Sequence, residues 1–202
     1  MTNSPKPALP SAAVLAGYNA VPSVLWSVLG LLPVSLFCYQ HMARPWLCGL
    51  LGVSLLVYAL PRAWFGWWQL SHAVRPYQRL GVPLVNLFTQ HGGLVNALLR
   101  RRYPQYRHVR NRATLRALVT GSYHMERFHL ALLVFFALAS FYALGRGYAG
   151  WAALILVTNV GYNLYPVWLQ QYLRLRLPTA SVPRPPAAPG ATPRSAPPED
   201  ER

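Results

Sequence analysis

Two side chains in this sequence have the type and spacing for proton transfer. Glu126 and His129 lie three apart in Glu126-Arg-Phe-His129, and residues three apart on a helix are neighbours on one face. A carboxylate touching an imidazole fixes its tautomer and raises its basicity, as a general base acting on a hydroxyl requires. The other acids are Glu199, Asp200 and Glu201, so Glu126 is the only carboxylate side chain in the first 198 positions. The plain alternative makes Glu126 a counter-ion for nearby arginines and His129 an interface anchor.

A second set of polar residues belongs with this pair. Asn159, Asn163, Gln170 and Arg174 are spaced by four, seven and four residues in an otherwise apolar run. At about 100° per residue they fall within about 60° of one another on a helix. Amides at membrane depth are costly unless they face protein or a polar cavity, though Asn159 and Asn163 would also serve simply to join helices. If the chain turns near Gly147, His129 stands opposite roughly residue 165 and Glu126 opposite roughly residue 168, as in an antiparallel helix pair. The stripe and the pair then meet, with Arg174 and Arg176 as a cationic rim.

Other motifs do not hold. Gly145-Arg-Gly-Tyr-Ala-Gly150 has the letters of a dinucleotide loop, but it joins two apolar runs instead of following a strand, so it reads as a turn. No G-x-S-x-G, paired C-x-x-C, H-E-x-x-H or H-x4-D arrangement occurs, and the histidines do not cluster as a metal site needs. His41, His72, His91 and His108 read as interfacial or surface residues. Neither a metal nor a cofactor is expected. Cys38 and Cys48 lie in apolar runs, without a disulfide framework.

The elements that must position these groups follow from composition. The 202 residues are 53% hydrophobic and 11% charged, less than half the roughly 25% charge of soluble domains. Seven Trp, twelve Tyr and seven Phe exclude a disordered chain, and a net charge of +15 on so apolar a sequence does not suit a soluble nucleic-acid binder. The reading is an all-α integral membrane protein with about four transmembrane helices.

Apolar runs cover 21–39, 45–60, 128–144 and 148 to about 169, the first long enough to cross a core of about 30 Å. It is too long for a signal-peptide core, contains Pro33 and lacks a cleavage site. The second is completed by Arg62 and the cluster Trp64, Phe65, Trp67, Trp68 at the interface. The expected layout is an N-terminal cytoplasmic segment (1–20), a first hairpin (21–66), a basic interfacial segment (67–126), a second hairpin carrying the site (127–177) and a disordered Pro-rich tail (178–202). Short interfacial helices are expected at Gly93 to Arg102 and Arg107 to Val119. With both termini cytoplasmic, seventeen of the nineteen basic residues lie inside and only Arg44 and Arg146 outside, as the positive-inside rule favours for a multi-pass cell-membrane protein.

The same residues carry a resemblance. Glu126 to His129 before an apolar run, and the stretch from Asn163 to Leu177, resemble the glycosyl-4,4'-diaponeurosporenoate acyltransferases, small bacterial membrane proteins of staphyloxanthin-type carotenoid biosynthesis. Asn163, Gln170, Tyr172, Arg174, Arg176 and Leu177 match the signature, while Gln171 stands where the family has Arg and Leu173 where it has Asn. The similarity covers roughly residues 45–177. It implies transfer of a fatty acyl group to a sugar hydroxyl of a glycosylated carotenoid or related glycolipid.

On this reading His129 is the base and Glu126 orients it. Asn159, Asn163 and Gln170 bind substrate, and Arg174 and Arg176 attract an anionic thioester donor, acyl-CoA or acyl carrier protein. The partners are membrane lipid, donor and glycosylated acceptor, with no nucleic acid. The rival is a non-enzymatic four-helix protein that binds anionic lipid or a partner enzyme, or delivers a lipid substrate.

Overall fold

Ser11 starts the first helix, its hydroxyl accepting the Val14 N–H at 3.3 Å. The computed structural model describes residues 9–106 and 112–177, and every regular element among them is a helix. Helix α1 (Ala12–His41) has 30 residues, about 45 Å at 1.5 Å per residue. It begins upstream of the apolar run 21–39 and continues through Pro22 and Pro33. Val21, Val24, Leu25, Val28, Leu29, Leu32 and Leu36 are exposed on it, while Gly30, Val34, Phe37 and Cys38 are buried. So large an apolar outer face suits lipid and not water.

Helix α2 (Arg44–Leu55) opens with Pro45 in its first turn, where a missing N–H costs nothing. It is continued by 3-10 turns at Leu56–Ala59 and Arg62–Gly66. Leu47 and Leu50 pack into the core shared by α1, α6 and α7, and the Leu60 carbonyl accepts from Arg127 at 2.8 Å.

Three short helices follow: α3 (Val74–Arg79), α4 (Val82–Leu87) and α5 (Gly93–Arg102). The last has the bounds that its sequence suggests. They are fastened to the bundle, with Tyr77 and Val82 packed on Leu169 and Tyr172. Val95, Leu99 and Tyr106 pack against Val14, Leu15 and Tyr18 at the start of α1.

Helix α6 (Arg112–Gly145) has 34 residues, which corrects two expectations. Residues 112–119 are its opening turns and not a separate interfacial helix, and residues 107–111 lie outside the described residues. The helix also starts well before residue 127. No proline interrupts 112–127, and charge decides where lipid ends, not where backbone hydrogen bonding stops.

The turn after α6 is a Schellman closure. Tyr148 N–H reaches the Ala143 carbonyl at 2.9 Å and Gly147 N–H the Leu144 carbonyl at 3.0 Å, with Gly147 at φ +84° as the left-handed residue. Helix α7 (Ala149–Asn159), a π-turn (Val160–Leu164) and α8 (Tyr165–Arg176) then run on as one rod. Among the described residues, three helices are long and apolar enough to cross a membrane, Ala12–His41, Ala117–Gly145 and Ala149–Arg176, and Arg44–Ala59 is a shorter apolar helix. Residues 1–8 and the expected tail, 178–202, lie outside the described residues.

The main core sits near the Gly147 turn. Val34 and Phe37 of α1 meet Phe136, Ala139 and Ala143 of α6 and Ala152 and Ile155 of α7, small residues letting these helices approach closely. A Cβ added at Gly30 would stand 2.2 Å from the Tyr162 ring. Only glycine lets α1 pass there.

Candidate active site

Away from that core, α6 turns a polar face to the α7–α8 rod. Ser122, Glu126 and His129, all buried, follow one another by four and three residues and so share a stripe. His129 Nδ1 lies 3.4 Å from Asn163 Oδ1. Asn163 Nδ2 donates to Asn159 Oδ1 at 2.8 Å, and Asn159 Nδ2 donates to the Leu133 carbonyl at 3.0 Å. The direction of this chain is forced. A backbone carbonyl only accepts, so Asn159 must present its NH2 there and its oxygen to Asn163. Asn163 in turn shows its oxygen to the ring, which favours a proton on Nδ1 and the lone pair on Nε2. Nε2 has no side-chain partner among the described residues.

Pro166 and the π-turn complete the setting. Proline has no N–H for the carbonyl four residues earlier, here that of Tyr162. The freed Tyr162 carbonyl faces the imidazole, and the Tyr162 ring stands edge-on to it at 5.9 Å. Tyr162 is itself braced by Gly30 and by a 3.4 Å contact of its hydroxyl with Ser27. π-Bulges of this kind are frequent at functional sites.

Glu126 forms a separate branch. Its carboxylate is fully buried and paired with Arg174, and Gln171 Nε2 donates to it at 2.8 Å. Arg174 also reaches Ser122 Oγ at 3.3 Å and covers the Tyr123 ring at 4.2 Å. Gln171 Oε1 accepts from Leu70 N–H and from the Tyr77 hydroxyl, each at 3.1 Å. Burial of Tyr77 pushes its pKa above the ordinary 10, so the hydroxyl stays a donor. This branch ties the 68–77 stretch to α8.

Two expectations are corrected here. Glu126 does not orient His129: its hydrogen bonds go to Arg174 and Gln171, because a guanidinium satisfies a buried carboxylate better than a neutral ring does. Gln170 makes no hydrogen bond among the described residues, and its place in the polar contacts is taken by Gln171. A π-turn holds one extra residue and so shifts everything after it by about 100° round the axis. Asn159, Asn163 and Arg174 do converge with Glu126 and His129. Arg176 does not; it is exposed and folds back on the Tyr172 hydroxyl at 3.0 Å. Gln171 was missed because an unbroken helical wheel points it elsewhere; Pro166 was the available sign that the wheel breaks.

No curated protein and no solved structure matches the chain. A family model does, over residues 61–181, which contain every side chain of both branches. That match takes in more than half of the sequence, and the chain therefore belongs to the glycosyl-4,4'-diaponeurosporenoate acyltransferase family, acyltransferases of carotenoid biosynthesis.

Proposed function

We propose that this protein moves a fatty acyl group from a thioester donor, acyl-CoA or acyl carrier protein, to a sugar hydroxyl of a glycosylated carotenoid or related glycolipid. His129 is the general base. Its Nε2 takes the hydroxyl proton as the oxygen attacks the thioester carbonyl carbon. Collapse of the tetrahedral intermediate breaks the C–S bond, and the imidazolium returns the proton to the departing thiolate. Asn163 holds the ring in the needed tautomer, and the Tyr162 carbonyl stabilises the positive ring as it forms. Glu126, neutralised by Arg174, positions the α6–α8 contact and takes no proton.

The carrying observation is the 3.4 Å contact of Nδ1 with an amide oxygen whose orientation is dictated by the Leu133 carbonyl. A base needs one nitrogen anchored and the other open.

The topology that serves this reading has four crossings with both termini cytoplasmic. The start of α1 packs beside Tyr103 and Tyr106, and its end reaches the core at the Gly147 turn. The path from Met42 to Leu60 returns to Arg127, so Arg44–Ala59 with its aromatic flank supports a second crossing. The arginine-rich end then faces the cytoplasm and anionic lipid.

His129→Ala, expressed in membranes at the wild-type level, should lower acyl transfer by about 10²–10⁴-fold. Mass spectrometry of extracted glycolipids reads the ratio of acylated to free glycoside. Undiminished acylation removes His129 as the base and with it this mechanism.

A further inference from the structure

At the arginine-rich end, positive charge exceeds what the described residues offset. Three guanidinium groups gather on one aromatic pair: Arg62 lies 5.9 Å and Arg174 4.2 Å from the Tyr123 ring centre, and Arg127 lies 5.3 Å from that of Phe65. The two rings meet edge to face at 6.0 Å. Arg174 takes Glu126, the one carboxylate side chain before residue 199. Arg62 and Arg127 have no acidic partner among the described residues.

Arg127 is held in place without being satisfied. One terminal nitrogen donates to the Leu60 carbonyl at 2.8 Å, while its Nε is buried without a partner. A buried donor left unmade is costly, and an incoming acceptor recovers that cost. Guanidinium groups present planar forks that match phosphate oxygens. Trp64, Trp67 and Trp68 are exposed alongside, the residue type that sits at headgroup depth.

We propose that Arg62 and Arg127 form a binding site for a phosphate ester, carried by the thioester donor or by an anionic lipid headgroup. The donor form of the site rests on the acyl-transfer reading above; the lipid form does not. Arg127 and His129 are two residues apart, so they project about 200° apart around α6. The phosphate therefore lies across the helix from the base, and a donor would reach round α6 with its flexible arm.

The test uses the full chain in dodecyl maltoside, a detergent without phosphate. Calorimetric titrations are made with coenzyme A, with pantetheine, which has no phosphate, and with short-chain phosphatidylglycerol. At least one phosphate probe should bind, and pantetheine should not. Arg62→Gln and Arg127→Gln should each weaken that binding tenfold or more. Arg127→Lys should recover part of it, keeping the charge without the fork, and guards against a folding defect. Arg100→Gln, elsewhere on the basic surface, should bind as wild type. Binding confined to coenzyme A assigns the phosphate to the donor, and binding confined to phosphatidylglycerol assigns it to the bilayer.

His129→Ala should keep full affinity, so failure of the base and failure of the phosphate site are read separately. Wild-type affinity in both glutamine variants overturns the site. So does the absence of binding by any probe, or equal binding of pantetheine and coenzyme A without phosphatidylglycerol.

Discussion

The two polar branches on α6 lie one helical turn apart and are built to opposite ends. In the Glu126 branch each oxygen of the carboxylate has a donor, its charge is balanced by Arg174, and Gln171 is bonded on both sides of its amide. In the His129 branch a chain of amides anchors one ring nitrogen, and the other has no side-chain partner among the described residues. A saturated network stabilises and specifies packing; an anchored group with an open lone pair can do chemistry. The one carboxylate side chain before residue 199 thus has a structural role, and in the proposed mechanism the histidine carries the reaction.

The largest effects should separate these branches. Replacing His129 by Ala should abolish most acyl transfer at a stability cost of about 1–3 kcal/mol, since the buried Asn163 oxygen loses its partner. Glu126→Ala should do the reverse in origin: it strands the Arg174 charge, costing about 3–5 kcal/mol, and activity falls because the fold does. The double variant Glu126→Leu, Arg174→Met should recover much of that stability, since a buried pair replaced by apolar groups is often neutral. A Glu126→Gln variant that melts normally yet loses turnover would move Glu126 into the chemistry and erase the contrast.

Intermediate effects test the brace behind the imidazole. Gly30→Ala forces a methyl against the Tyr162 ring and should cost about 1–3 kcal/mol, seen as a lower melting temperature together with a reduced turnover. The register after the π-turn is tested by a pair of variants, the second of which should have the smallest effect. Gln171→Ala leaves the Tyr77 hydroxyl and Leu70 N–H without their amide and should cost about 1–3 kcal/mol, whereas Gln170→Ala should stay within about 0.5 kcal/mol. Equal losses at 170 and 171 would mean that the helix is unbroken between Asn163 and Arg174.

Much of this was legible in the residues. The lone acid, the E-x-x-H spacing and the amide stripe located the contact between α6 and the α7–α8 rod, and the position of Gly147 set the level at which Asn163 meets His129. The bounds of α5 and the turn at 145–150 followed from glycine placement and charge.

What escaped sequence reading has physical causes. Spacing says which side chains can touch, not which touch best, so the Glu126–Arg174 pair could not be ranked above Glu126–His129. Helical wheels assume a constant angle per residue, and the π-turn before Pro166 violates that assumption ahead of the two glutamines. Charge marks a bilayer boundary but leaves helix continuity open, and so the early start of α6 was hidden.

The amide chain from Leu133 has a foot that no point substitution can remove. Any amino acid at position 133 offers the same main-chain oxygen, so the polarity of the relay is written in the backbone and is immune to side-chain change there. Tuning of this ring by single substitutions must therefore happen at the two asparagines or at the bulge, and a designer wishing to invert the tautomer would have to reshape the helix, not repaint it.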